Sequence, residues 1–235
     1  AEAKITHVVL VQTGSAYRWD NRLLADTAKE NADWMVGVCT LDPASSESVA
    51  ELERLRTGYN VRGVRIEPTR SDYPQYYHPG SVALWGAAQR LGVVICAHLQ
   101  VRHLKQLSEL LARFPDVPVV LDHAAYPKAA DGVDSETVRA VVDLARFGQL
   151  NVKLTFTVTG SEEAYPFSDM HGIVRVLLDA YGPERCMWGS DFPCEHWLKK
   201  ASYTQHLDLF RKDLGLSDAE QSAILSETAA RLWFP

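Results

Sequence analysis

Residues 93–123 read VVICAHLQVRHLKQLSELLARFPDVPVVLDH. Two apolar, β-branched runs, Val93–Gln100 and Val117–His123, enclose a stretch carrying Leu104, Leu107, Leu110, Leu111 and Phe114. The outer runs have the length and composition of buried strands. The middle has the three-and-four spacing that draws one apolar stripe down a helix. Pro115 stops that helix, since proline has no amide hydrogen to continue the ladder. Strand, helix and strand within about thirty residues is the unit of a parallel sheet, because a parallel neighbour can be reached only by a crossover.

The unit recurs outward in both directions. Further strand-like runs are His7–Gln12, Met35–Thr40, Val61–Glu67, Asn151–Thr155 and Arg185–Asp191. Helix signals lie between them. Ser45–Ser48 precedes the stripe Val49, Leu52, Leu55. Ser81 precedes a helix ending at Gly92, and Ser135 opens one closed by Gly148. Ser217-x-x-Glu220 reads as a capping box on the last helix. Alternating strands and helices predict a parallel sheet covered by helices, which an open doubly wound sheet and a closed barrel both satisfy. No G-x-G-x-x-G follows the first strand, which weakens a dinucleotide site. No linker or low-complexity segment divides the chain, so residues 1–235 read as a single domain.

Composition narrows the classes. The 235 residues are 46% hydrophobic, enough for a sizeable core. Charged residues make up 23% and the net charge is -6, with no basic run, which argues against a nucleic-acid partner. No stretch approaches 18 apolar residues, so no membrane helix is expected, and AEAKITHVVLVQ lacks the layout of a signal peptide. Cys39, Cys96, Cys186 and Cys194 form no C-x-x-C pair and read as reduced thiols of a cytoplasmic protein.

In an α/β barrel the loops at the C-terminal strand ends form the mouth of the site. That rule selects Gln12, Thr40 and Asp42, Arg65 and Glu67, His98 and Gln100, Asp122 and His123, Lys153, and Ser190 and Asp191. Asp191 leads. It follows Cys186-Met187-Trp188-Gly189-Ser190 and precedes Phe192-Pro193, a position where partial burial would tune a carboxylate to deprotonate water. The bland alternative is an Asx-turn residue. His98 and His123 end adjacent strands and suit acid–base or metal chemistry, or a structural hydrogen bond. Arg65 lies inside an apolar strand and must meet an anion, either Glu67, Asp42 or a substrate carboxylate. Arg70 adds a second donor fork in the same loop. Lys153 poses the same choice between a neighbouring carboxylate and substrate. The loop aromatics Tyr73, Tyr76, Tyr77 and Tyr126 suit the wall of a pocket or surface packing.

Taken in order, Val8-Val9-Leu10-Val11-Gln12, Gly63-Val64-Arg65, Val120-Leu121-Asp122-His123, Val152-Lys153-Leu154 and Trp188-Gly189-Ser190-Asp191-Phe192-Pro193 resemble the amidohydrolase-2 group of the amidohydrolase superfamily, and within it the lactonases. The resemblance covers nearly the whole chain, and its last motif is the most specific. It implies a TIM-type (β/α)8 barrel. It implies that Asp191 is general base or metal ligand, that His123 is catalytic or polarises the substrate, and that His98 is a ligand in zinc-dependent members. Arg65 would bind a substrate carboxylate, as in the group's dicarboxylate lactonase, with Arg70, Lys153 and Gln12 beside it as substrate-binding residues.

The expected function is therefore hydrolysis of a small carboxylated lactone or similar cyclic ester. Water is activated by Asp191, with no cofactor or with one divalent metal, zinc first. The rivals are a metal-dependent decarboxylase or hydratase of the same group, a non-catalytic barrel, and a phosphate-binding isomerase barrel. The last is disfavoured by the lack of a glycine-rich loop after the final strands. The expected partner is a small anionic molecule, with self-association left open. Seven runs stand where a closed barrel has eight strands. The group's opening His-x-His strand has no counterpart, so one further βα unit is expected on the N-terminal side of Ala1.

Overall fold

The computed structural model describes residues 3–68, 75–194 and 199–235. Arg70, Tyr73 and His196 lie outside the described residues. Seven strands form: β1 (Val8–Val11), β2 (Met35–Thr40), β3 (Val61–Ile66), β4 (Val94–Ala97), β5 (Val119–Leu121), β6 (Leu150–Lys153) and β7 (Cys186–Met187). Each coincides with one of the apolar runs, and all but β2 stop short of the run's polar tail. Those tails leave the ladder and become the loops that carry the candidate residues.

Strand order in the sheet is β1-β2-β3-β4-β5-β6-β7, the order of the chain. β1 with β2, β2 with β3, β3 with β4 and β6 with β7 are all parallel pairs. Helices occupy the crossovers: α1 (Gly14–Tyr17) and α2 (Arg22–Glu30), α3 (Ser48–Gly58), α4 (Pro79–Leu91), α5 (Leu104–Arg113), α6 (Glu136–Asp143), then α7 (Thr157–Gly160) and α8 (His171–Tyr181). After β7 come α9 (Tyr203–Asp208), α10 (Asp218–Ser222) and α11 (Thr228–Trp233). A doubly wound sheet reverses its strand order at a switch point, whereas the TIM-type barrel keeps strands in sequence. The observed order follows the barrel pattern.

The chain packs as two compact units. One runs from Ile5 to Val120, with Phe234. In it β2 and β3 are buried, and Leu24, Ala25 and Ala28 of α2 face β2. A Cβ on Gly37 would lie 2.9 Å from Leu24 Cδ2 and 3.2 Å from Val61 Cγ2, so glycine lets this helix approach so closely. Leu52 and Leu55 of α3, Leu84 and Trp85 of α4, and Leu107, Leu110 and Leu111 of α5 are fully buried. Each contributes about 1.5–3 kcal/mol of burial. The expected start of α4 is corrected. The helix begins at Pro79, and His78 caps it by accepting from the Gly80 amide at 3.1 Å, while Ser81 lies inside the helix. Proline at the first helical position loses no hydrogen bond there, which is why the start precedes the serine.

The other unit comprises Leu121–Trp233 with the N-terminal residues up to Lys4. Ile173, Val174, Leu177 and Leu178 of α8 are buried, and the Tyr181 hydroxyl donates to the Val141 carbonyl at 2.7 Å, tying α8 to α6. Ser135 caps α6, and the Ser217–Glu220 capping box forms on α10. A second capping box, Ser202 with Gln205, starts α9, which runs on into a π-helical turn at Leu209–Asp213.

No disulfide joins the cysteines, and Cys39, Cys96 and Cys186 are buried. Burial pushes the Cys186 thiol up to about 12 and Cys39 higher still, so both stay protonated and unreactive near neutral pH. Among the described residues no helix is long and apolar enough to cross a membrane.

Candidate active site

In the first unit, β3 and β4 place two side chains, Arg65 and His98, around one carboxylate, Glu67. Arg65 is the fifth residue of β3, Glu67 follows the strand, and His98 follows β4. Register brings Arg65 opposite Thr40 and Cys96, and the His98 amide donates to the Ile66 carbonyl. The Arg65 guanidinium donates to Glu67 Oε1 at 3.4 Å, and His98 Nδ1 lies 3.3 Å from the same oxygen. Glu67 is 1% exposed, so its charge requires these partners. Of the candidate anions for Arg65, Glu67 is one that the fold supplies. A carboxylate on Nδ1 also fixes the orientation of an imidazole and leaves Nε2 for chemistry, so Glu67 has a role that its place in the sequence suggests only as an ion-pair partner.

Gln12 follows β1 and is buried. Its amide donates to the Asp20 carbonyl, and the Thr40 hydroxyl donates to the Gln12 carbonyl at 3.1 Å. Gln12 thus ties the loop between β1 and α2 to the end of β2.

In the second unit, the ends of β5, β6 and β7 build a tighter cluster. Lys153 Nζ meets Asp122 Oδ1 at 2.5 Å, with Asp122 fully buried and the lysine 14% exposed. Of the two readings of Lys153, the carboxylate pair is the one observed. His123 Nδ1 lies 2.6 Å from the Thr155 hydroxyl, and the Tyr126 ring stacks on His123 with centroids 4.7 Å apart and planes 19° apart. Thr155 reads in sequence only as the end of a strand. Its contact with His123 has no sequence signal, because the two are 32 residues apart and meet only through β5–β6 neighbourhood.

The backbone here is unusual. His123, Ala124, Ala125 and Tyr126 all have left-handed φ, at 56°, 47°, 60° and 65°. No glycine relieves them, so each costs roughly 1–2 kcal/mol. Four in succession persist only because the neighbours over-determine them, and such strain gathers at functional positions. The stabilising contacts are the buried Asp122–Lys153 pair, the Thr155 bond, the Tyr126 stack and the Tyr126 amide donating to the His123 carbonyl at 2.8 Å.

The third strand end brings Asp191. A Cβ on Gly189 would lie 2.8 Å from Thr155 Cγ2 and 3.0 Å from Lys153 Cδ, so glycine allows this loop to press on the same two side chains. Two residues on, Asp191 is exposed and has φ 49°, a second left-handed position without glycine. The partial burial expected for Asp191 is corrected: the chain lifts it clear of the apolar strand end. An exposed carboxylate is suited to accept a proton from water. The imidazole is suited to polarise a carbonyl.

Among the described residues, no group of three or more His, Cys, Asp or Glu stands close enough together to hold a metal ion. The nearest approach to a donor set, His98 with Glu67, shares its carboxylate with the Arg65 cation, which opposes a second cation there. The donors present therefore do not fit a zinc centre, which takes three or four ligands.

The family model described as amidohydrolase matches residues 1–234. The chain is 28% identical over 199 residues to the L-fucono-1,5-lactonase of Burkholderia ambifaria, covering 82% of this chain and 67% of that one. It is 28% identical over 182 residues to the 4-sulfomuconolactone hydrolase of Rhizobium radiobacter, covering 74% and 57%. A crystal structure of an amidohydrolase from Burkholderia multivorans, solved with zinc bound, superposes with a TM-score of 0.83 at 26% identity, covering 97% of this chain and 83% of that one. The chain thus spans about three fifths to two thirds of the length of these two curated relatives.

Proposed function

The chain belongs to the amidohydrolase family, and on that premise we propose that it hydrolyses a small carboxylated lactone or similar cyclic ester. The observation that carries the reading is the joint at β5, β6 and β7. There Thr155 meets His123, Lys153 meets Asp122, and Gly189, two residues before Asp191, packs against both Thr155 and Lys153. Both relatives named above act on lactones by their names, and one of those lactones carries a sulfo group.

The Asp191 carboxylate takes a proton from water as the hydroxide adds to the lactone carbonyl carbon. His123 donates from Nε2 to the developing oxyanion, while Thr155 donates its hydroxyl to Nδ1 and so keeps the imidazole neutral. Collapse of the tetrahedral intermediate breaks the ring C–O bond. The proton held on Asp191 passes to the departing oxygen, and the product is the open hydroxy acid. Lys153 neutralises Asp122 directly beneath His123. Arg65 and Arg70 take the substrate's anionic group, a role that rests on the resemblance and on the planar donor fork of a guanidinium. A zinc ion is bound in the Burkholderia multivorans structure; among the described residues of this chain no donor set completes such a centre.

The test is turnover of L-fucono-1,5-lactone, 4-sulfomuconolactone and 2-pyrone-4,6-dicarboxylate, followed by acid release. Asp191→Asn is expected to keep the fold and lower kcat by about 10²–10⁴-fold on the fastest of them. A variant with near-normal turnover removes Asp191 from the mechanism.

A further inference from the structure

Asp191 sits in a left-handed conformation in an exposed loop, and its own side chain does not hold it there. Its flanking residues are held, chiefly by one short helix. Before it, the Trp188 amide donates to the Ile224 carbonyl at 2.9 Å, and the Trp188 indole N–H donates to His206 Nδ1 at 3.1 Å. After it, the Phe192 amide donates back to the Ser190 hydroxyl at 3.3 Å. The Tyr203 ring meets both Trp188 and Phe192 edge to face, at 5.9 Å and 5.5 Å between centroids. Tyr203 and His206 are three residues apart on α9 and so share a face of it. One helix face therefore grips residues on both sides of Asp191.

We propose that Tyr203 and His206 are positioning residues, which set the Asp191 carboxylate for reaction by clamping the loop on either side of it. The proposal rests on Asp191 being the base. An indole N–H can only donate, so His206 must accept at Nδ1 and carry its proton on Nε2. His206 is fully buried, so this bond is shielded from competing water. Tyr203 adds stiffness through its two edge contacts. Neither side chain is placed on the reacting atoms. Their effect passes through the angle and distance of Asp191, to which a proton transfer is steeply sensitive.

Three variants of the full chain test this on the fastest lactone of the panel, alongside hydrogen exchange of the amides of residues 188–192. His206→Leu removes the acceptor, and kcat is expected to fall about 10- to 100-fold with KM within about twofold. His206→Asn returns an oxygen near the place of Nδ1 and is expected to recover most of that loss. Tyr203→Leu removes the ring and both edge contacts, so a smaller kcat loss is expected. Exchange at residues 188–192 should rise in His206→Leu and return towards the parent in His206→Asn. The proposal is overturned if His206→Leu turns over normally, or if Leu and Asn lose activity alike in step with melting temperature, which marks a packing role. If Asp191→Asn is itself active, the base assignment falls. The exchange arm then still decides the clamp, and unchanged exchange in His206→Leu overturns that as well.

Discussion

At the scale of single residues, the buried ion pairs decide between anchoring a substrate and holding the fold. Asp122 is fully buried and meets Lys153 at 2.5 Å. Lys153→Met would leave that carboxylate uncompensated, at a cost of ~3–5 kcal/mol, whereas Asp122→Asn combined with Lys153→Met removes both charges and should recover much of it. Denaturant melts of the single and double variants check this, and a single variant as stable as the parent would show that the pair contributes little. Arg65→Met is expected to raise KM for the anionic lactone more than it lowers the melting temperature, because a guanidinium fork holds an anionic group through paired donors. A collapse in stability with KM unchanged assigns Arg65 wholly to Glu67. The residue types at these strand ends are legible in sequence, since polar groups after apolar runs have few structural reasons to be there. Their partners are not. Glu67 under His98, Thr155 under His123 and His206 under Trp188 are contacts between side chains that are up to 32 residues apart, and no periodicity encodes them.

At the scale of elements, the strands are legible because β-branched runs have no other stable use at that length and spacing, and each of the seven is found where its run stands. Helix starts are legible where a serine caps, as at Ser135 and Ser217, and misread where His78 and Pro79 take that task from Ser81. The left-handed turn at His123–Tyr126 is invisible in sequence, because Asp-His-Ala-Ala-Tyr contains no glycine and nothing local favours that conformation. Helix α9 is equally silent, since six residues are too few to show a stripe. Its start, however, is well specified: the Ser202 hydroxyl accepts from the Gln205 amide at 3.2 Å and Gln205 Oε1 accepts from the Ser202 amide at 2.9 Å. Ser202→Ala should cost about 1 kcal/mol, or about 2–4 °C in melting temperature for a chain of this size. Because α9 carries Tyr203 and His206, the same variant should lower kcat severalfold without moving KM. A stability loss with full kcat would separate the cap from the clamp.

At the scale of the whole molecule, the acid limb of stability draws on groups whose protonation the fold opposes, His206 and Glu220 among them. Burial pushes His206 from its ordinary 6.5 down to about 4. The unfolded chain therefore binds a proton between those values that the folded chain does not. The contribution is complete above pH 6.5, declines as pH falls through that window, and levels off below 4. Its full size is on the order of 3 kcal/mol, at 1.36 kcal/mol per pKa unit. Glu220 adds a lower step. The Arg175 guanidinium at 2.6 Å, helped by the amide and hydroxyl of Ser217, holds its carboxyl down to about 2 from the usual 4.5. Its stabilising contribution is present above pH 4.5 and is lost as pH falls towards 2. The limb should thus begin near pH 6.5, well above the carboxylate range, and steepen below 4.5. Urea midpoints measured from pH 7.5 to pH 3.5 check the shape. In His206→Asn the fall between pH 6.5 and 4.5 should flatten while the fall below 4.5 remains, because asparagine does not titrate and Glu220 is untouched. A parent curve that stays level down to pH 4.5 would mean that His206 accepts its proton in the folded state, and the neutral acceptor required by the Trp188 bond would be lost with it.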